Sequence, residues 1–364
     1  MIKGLLEERQ IPDVMRLKRR RAVKTVKDHA LWREETKTLL QNHEYGVIPP
    51  RPDHLSAELV KEAPNFAAGK AQLCEMKMNR TVGEKEFSFP FSELKPKSAG
   101  KDNRVPTFIF INFRPEVPDK YFPAEEIVDR GYAVLSFFYK DVASDDNSFK
   151  NGIARHLVSS RRAGNATSKI ALWAWAAMRL MDYAETLDYV DLDNIAVIGH
   201  SRLGKTALVT GGFDERFKYV ISNDSGCSGA AITRGKIGEQ KSDICERFPF
   251  WFCPNYLNKY KSAEELPYDQ HFLLALTAPR HLLIGSAELD SWADPKSEYL
   301  SLYAVKPVYN LYGLGGIPES DSLPEPKSVI YGDHCFYQLR HGTHYLSRED
   351  WNEYMNYIDK CIGR

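Results

Sequence analysis

The sequence predicts an α/β fold on a mostly parallel sheet, and three observations carry that expectation. From Val105 onward, short β-rich apolar runs such as VPTFIFINF alternate with segments of helical periodicity. The runs are apolar throughout, as in parallel strands covered on both faces. No repeat with a period of about 20 to 50 residues and no low-complexity tract appears, which excludes solenoids and propellers.

Taken in order, residues 1–100 read as an N-terminal extension packed on the core, helical around Ala30 to Asn42. It is irregular through Pro49, Pro50 and Pro52 and through SELKPKSAGKDNR. Residues 101–364 read as the catalytic domain. VPTFIFINF is its first strand, AEEIVDRG a helix and YAVLSFFY the next strand, a βαβ beginning. ATSKIALWAWAAMRLMDYAETL has helical spacing, NIAVIGH is a strand and LGKTALVTGGF a helix; YVISNDSG, HLLIGSAELD and PVYNLYG are expected to add strands. Between about 232 and 270 the chain turns irregular and aromatic (FPFWFCPNYLNKY), an insertion expected to form a lid or wall over a site at the strand ends.

Composition narrows the function classes. The 364 residues are 43% hydrophobic and 27% charged, the profile of a globular chain, which excludes disordered and fibrous classes. Lys plus Arg (49) equals Asp plus Glu (49), so no overall field recruits nucleic acid or an anionic membrane surface. The basic run Lys18, Arg19, Arg20, Arg21 and Lys24 reads as a solvated helix face. No stretch approaches the roughly 18 to 20 apolar residues of a spanning helix. MIKGLLEERQIPDVM lacks the apolar region and cleavage site of a secretory signal, so the expectation is a cytoplasmic chain or the trimmed form of an exported one. Six cysteines, Cys74, Cys227, Cys245, Cys253, Cys335 and Cys361, lack CxxC spacing, which argues against structural zinc. Reduced thiols are expected, with a Cys227–Cys253 bridge left open for an exported protein.

NIAVIGHSRLGKTAL carries the sharpest chemical signal. A strand ends at a tight turn, Gly199-His200-Ser201-Arg202-Leu203-Gly204, and a helix follows, the layout of a nucleophile elbow with Ser201 at its tip. The second glycine falls three residues after the serine rather than two. A competing reading is a phosphate loop, because Gly199 to Thr206 also spells GxxxxGKT. An elbow serine needs an acid and a histidine later in the chain, in the order of α/β-hydrolases. Asp290 follows a strand in HLLIGSAELDSWADP, and His341 and His344 lie in a loop before the last helix. Asp224, in ISNDSG, is a second plausible acid; Asp294, before Pro295, reads as a helix N-cap, and His200 as a neighbour supporting the site.

These motifs together resemble the glucuronoyl esterases, family 15 of the carbohydrate esterases, particularly the bacterial members. The resemblance covers roughly residues 105 to 360 and rests on GHSRLGK, NDSGCSGAAITR, FPFWFCPNY, LTAPRHLLIGSAELDSWADP and the stretch from Arg340 to Trp351. It implies an α/β-hydrolase fold, a three-layer sandwich in which Ser201 is the nucleophile, His344 the base and Arg202 an oxyanion donor. Lys205, Glu239 and Trp292 match positions that grip the uronate ring. The family places its acid on either of two loops, occupied here by Asp224 and Asp290; Asp290 is favoured, because Asp224 is shorter than the glutamate usual on its loop. A cysteine that precedes the nucleophile in fungal relatives is His200 here, so their adjoining disulfide cannot form.

The implied activity is hydrolysis of the ester between a 4-O-methyl-glucuronic acid branch of xylan and an alcohol, with a glucuronate ester or xylan-derived oligosaccharide as partner. No metal or organic cofactor is implied. An acetyl xylan esterase is the alternative within enzymes; a catalytically silent carbohydrate-binding relative and a nucleotide-binding protein are the alternatives outside that class.

Overall fold

Val105–Asn112 (β4) is buried at every position because both of its faces are covered. Ile109 and Ile111 enter the apolar cluster on one side of the sheet, with Trp173, Leu180 and Leu208. Phe108 and Phe110 enter the cluster on the other side, where Trp351 meets both rings edge-on at 5.1 and 5.3 Å. Helices on both faces of one sheet make the three layers of an α/β-hydrolase.

The computed structural model describes residues 2–16, 21–82, 85–159 and 161–364. The remaining strands are β1 (His54–Asn65), β2 (Ala71–Val82), β3 (Lys85–Pro96), β5 (Ala133–Phe138), β6 (Val190–His200), β7 (Tyr219–Asn223), β8 (His281–Ala287), β9 (Val329–Tyr331) and β10 (Cys335–Arg340). Among the described residues they form one sheet in the order β1-β2-β3-β5-β4-β6-β7-β8-β10-β9. The run from β5 to β10 is parallel. It brings the carboxyl ends of β6, β7 and β8 side by side, so the loops that follow them share one crevice.

Two expectations are corrected. Residues 1–100 are not only helical and irregular: they supply three long antiparallel strands that extend the sheet past β5. Their inner face alternates, with Cys74, Met76 and Met78 of β2 and Phe89 and Phe91 of β3 buried. Arg80 lies between the rings of Phe87 and Trp175, at 5.0 and 4.9 Å, and pins this extension onto the helix Lys169–Ala184. PVYNLYG is not a strand. Pro307 sits in the first turn of a helix, Lys306–Asn310, where its missing N–H is not needed. Beside β8 in the sheet lies β10, which ends just before the loop that holds His344.

The expected helices form at Val26–His43, Ala124–Asp129, Lys169–Ala184 and Arg202–Phe213. The segment between 232 and 270 is a set of short helical turns at Lys241–Arg247, Pro249–Trp251 and Pro254–Asn258. All six cysteines are free; Cys253 faces the Asn42 carbonyl and Cys227 the Ser228 hydroxyl, so the bridge left open by the sequence is not formed. Within the basic run, Lys18, Arg19 and Arg20 lie outside the described residues. Among the described residues, no helix is long and apolar enough to cross a membrane.

Candidate active site

Ser201 sits where β6 ends and the helix Arg202–Phe213 begins, with φ 57° and ψ −127°. A serine held in the left-handed region is strained, and the neighbouring packing maintains it. Ser201 N donates to Asn223 O at 2.8 Å, and the Ser201 carbonyl receives the N–H of Gly204 and Lys205 at 2.9 and 3.1 Å. Both glycines are needed by close approach. A Cβ on Gly199 would stand 2.1 Å from the Leu203 carbonyl oxygen, and one on Gly204 3.0 Å from the Ser225 Cβ. The second glycine therefore belongs three residues after the serine, where the helix crosses the end of β7.

His344 and Asp290 meet directly: imidazole Nδ1 and carboxylate Oδ2 are 2.6 Å apart. Asp290 is buried and His344 is half exposed, so the ring has one side fixed and the other open to the crevice. Asp290 is itself steadied by the Ala293 N–H, which donates to its Oδ1 at 3.2 Å. No hydrogen bond joins Ser201 Oγ to His344 among the described residues. The His344 imidazole packs against the ring of His200, the residue before Ser201, with centroids 4.5 Å apart. His200 is buried and bonded to the Asn223 side chain at 2.7 Å; burial first, and the neighbouring His344 next, hold its pKa well below the usual histidine range. His341 pairs at the surface with Glu288 at 2.5 Å.

Asp224 approaches the same histidine without binding it. One of its carboxylate oxygens, one of Asp290 and a His344 nitrogen lie within 4.8 Å of one another. Yet Asp224 Oδ1 accepts the Ala287 N–H at 2.6 Å, and Oδ2 accepts the Tyr345 N–H at 3.4 Å and faces Arg340 at 3.7 Å. Burial pushes its pKa well up, and the carboxylates Glu298, Asp350 and Asp290 add to that, while Arg340 opposes it. Asp294 is the N-cap of the helix Pro295–Ala304, as expected.

Lys205 is buried one helical turn beyond Ser201, and its ammonium donates to the Ser225 carbonyl. Burial lowers its pKa, and Glu239 is the strongest opposing charge. Glu239 is buried beside it, its N–H bonded to the Trp292 carbonyl at 3.0 Å, while the Trp292 side chain stays 47% exposed at the rim. Thr206 Oγ1 is spent on the Arg202 carbonyl at 2.9 Å, so the GxxxxGKT segment does not offer the free hydroxyl that a phosphate loop gives its Mg²⁺. The phosphate-loop reading fails on that contact.

Three contributors lay outside the sequence expectations. Asp145 pairs with Arg202 Nη1 and also accepts from Tyr139 Oη at 2.8 Å and Trp251 Nε1 at 2.7 Å. Trp251, inside the aromatic insertion, lies over the Arg202 guanidinium at 4.7 Å. Glu298 accepts from Gly226 N at 2.8 Å and from the Ser286 hydroxyl, and burial pushes its pKa up to about 7. The insertion was visible as an aromatic run, but nothing in the local sequence distinguishes Asp145 or Glu298 from solvated carboxylates.

A strained serine at a strand-to-helix elbow and an imidazole bonded to a buried carboxylate, both at the carboxyl end of a parallel sheet covered on both faces, are the arrangement of the α/β-hydrolase fold. The family model for glucuronyl esterase, fungi, matches residues 78–313. The chain belongs to that glucuronoyl esterase family. It is 39% identical over 238 residues to a carbohydrate esterase of an unknown prokaryotic organism, a match covering 65% of this chain and 55% of that relative. The chain thus spans about half the length of that relative. To a 4-O-methyl-glucuronoyl methylesterase of Thermothelomyces thermophilus it is 28% identical over 339 residues, covering 90% of this chain and 75% of the other. Among solved structures, it is similar to a glucuronoyl esterase from Solibacter usitatus, with a TM-score of 0.89, 29% identity, and 96% and 97% of the two chains covered. A promiscuous CE15 esterase from a marine bacterial metagenome gives a TM-score of 0.85 and 30% identity, covering 96% of each chain.

Proposed function

We propose that the protein hydrolyses the ester between a 4-O-methyl-glucuronic acid side chain of xylan and an alcohol. The observation that carries the reading is the 2.6 Å contact of His344 with Asp290, packed against His200, which precedes the strained Ser201; the buried Lys205 and Glu239 are suited to sugar hydroxyls. Family membership and the activity of the 4-O-methyl-glucuronoyl methylesterase relatives support the same substrate class.

In this mechanism Asp290 holds the imidazole through Nδ1, which leaves Nε2 to accept the Ser201 proton as Oγ attacks the uronate carbonyl. The carbonyl oxygen becomes an oxyanion. The Arg202 N–H, in the first helical turn where backbone donors lack intrahelical acceptors, and the Arg202 guanidinium stabilise it. The tetrahedral intermediate expels the alcohol, which takes its proton from His344, and leaves a glucuronoyl ester on Ser201. Water, deprotonated by His344, attacks that ester; the acid departs and the proton returns to Ser201. Lys205, Glu239 and Trp292 hold the ring through hydroxyl contacts and stacking, so their binding energy goes to orientation.

Turnover of the benzyl ester of glucuronic acid, measured beside acetate release from an acetylated xylo-oligosaccharide, tests the substrate assignment. The uronate ester should be cleaved with the higher kcat/KM. Acetate release alone would leave an acetyl esterase on the same site, and inactivity on both would leave a binding protein.

A further inference from the structure

We infer that Asp145 is the positioning residue of this enzyme's oxyanion site, acting through Arg202 and coupling the nucleophile elbow to the aromatic insertion. The inference rests on the esterase reading above and adds a residue to it.

Arg202 follows the nucleophile, but a guanidinium on a flexible stem stabilises a developing charge only if its direction is fixed beforehand. Two kinds of contact fix it. The rings of Trp251, Phe113 and Phe248 surround it at 4.7, 5.5 and 5.6 Å, and Trp251 is itself stacked on Phe248 with centroids 4.0 Å apart. Such faces hold a cation in place but leave it free to turn in its own plane. The rotation is set by the Asp145 carboxylate, which accepts from Arg202 Nη1.

The Asp145 side chain is 7% exposed and is held from three elements. Tyr139, just past β5, donates its hydroxyl to the same Oδ2 that takes Arg202, and Trp251 of the insertion donates its indole N–H to Oδ1. The carboxylate therefore cannot follow Arg202 if the guanidinium swings. With Nη1 committed, Arg202 Nε remains buried without an acceptor. Buried donors without partners are uncommon, and here one lies on the residue next to the nucleophile. An oxyanion formed at Ser201 supplies an acceptor that the resting site lacks. Through the same contacts the aromatic wall also reaches the elbow, since Trp251 fixes Asp145 and Asp145 in turn fixes Arg202.

The test is Asp145→Asn, which keeps the size and the acceptor for Trp251 but places an amide where the charged acceptor of Arg202 stood. Removal of an oxyanion donor lowers kcat by about 100- to 1000-fold, so misdirecting one should lower it about tenfold or more, with KM changed less than about threefold. Because the oxyanion is common to all esters, the loss should appear with both a glucuronate benzyl ester and an activated acetyl ester. In an Arg202→Ala background, Asp145→Asn should add no further loss of kcat, which a general folding defect would not reproduce. Wild-type kcat in Asp145→Asn overturns the inference, as does an undiminished loss in the Arg202→Ala background. If Asp145→Asn does not fold, Tyr139→Phe removes one of the three donors and keeps the carboxylate; kcat should fall about twofold or more, and no change overturns the inference. A wild-type enzyme that cleaves the acetyl ester but not the uronate ester sinks the substrate assignment while leaving this inference open to the same measurement, and one inert to both sinks both.

Discussion

His344 and Asp290 are 54 residues apart in the chain and 2.6 Å apart in the folded protein, while Asp224, with a carboxylate oxygen within 4.8 Å of a His344 nitrogen, spends its oxygens on the backbone of Ala287 and Tyr345 and on Arg340. In the proposed mechanism that contact makes Asp290 the carboxylate that orients the base. Two acids at the end of a sheet are not equivalent once their remaining lone pairs are counted.

The first prediction follows from that difference. Asp290→Asn should lower kcat by about 1000-fold or more, because the amide favours the wrong imidazole tautomer. Asp224→Asn should lower kcat by less than about tenfold, because the backbone acceptor for Ala287 is kept and no contact with His344 is lost. Steady-state kinetics of the two variants on one ester checks the order; equal losses would show that both carboxylates orient the base.

Gly199→Ala should disable the elbow. The added methyl would meet backbone atoms of Leu203 at 2.1 and 2.4 Å, and backbone cannot rotate away as a side chain can. Overpacking of this kind costs about 1–3 kcal/mol or more, and displacing the nucleophile by about 1 Å can cost 100-fold in rate. Thermal unfolding and kcat together should show a folded, less stable and nearly inactive variant; a fully active one would mean that the turn has slack absent from the structure.

Lys205→Met, Glu239→Gln and Trp292→Ala separate recognition of the uronate from ester cleavage as such. Hydrogen bonds to charged groups contribute about 1.5–3 kcal/mol, or roughly ten- to a hundredfold in binding. KM for the glucuronate ester should rise by that factor, while kcat/KM for a small acetyl ester stays within about threefold. Equal damage to both substrates would place these side chains in the architecture of the elbow and not in the sugar site.

Glu298 makes stability depend on pH. Its folded pKa is about 7, raised by burial and by Asp290 and opposed by Ser286, Gly226 and Lys205, whereas the ordinary value is 4.5. The folded state therefore holds a proton that the unfolded chain releases first, and this contribution is full below about pH 4.5 and lost as pH rises toward 7. One such proton changes stability by up to about 1.4 kcal/mol per pH unit in that window. Denaturant unfolding across pH 4 to 8 should show the decline in wild type and a shallower one in Glu298→Gln; parallel curves would contradict the assignment.

The sheet and the nucleophile were legible in the sequence because their signals are local. NIAVIGHSRLGK writes strand, turn and helix in twelve consecutive residues, and the strained Ser201 stands where that pattern puts it. The antiparallel extension was missed, although the alternation of Cys74, Met76 and Met78 and of Phe87, Phe89 and Phe91 carries the period of a strand. Charged residues on its open face and the Pro-rich lead-in drew the reading toward irregular chain. PVYNLYG misled because β-branched and aromatic residues suggested a strand, while Pro307 opened a helix. Asp145 and Glu298 were not legible, since their roles depend on partners from distant segments: Arg202, Tyr139 and Trp251 for one, Ser286 and Gly226 for the other.

In the proposed mechanism Ser201 takes the glucuronoyl group during turnover. Acid-quenching the enzyme during hydrolysis of the benzyl ester of glucuronic acid and mapping the adduct by peptide mass spectrometry tests it most directly. A glucuronoyl adduct on the peptide containing Ser201, absent together with activity in Ser201→Ala, is the predicted result. Cleavage of the ester that persists in Ser201→Ala, or an adduct on any other residue, would contradict it.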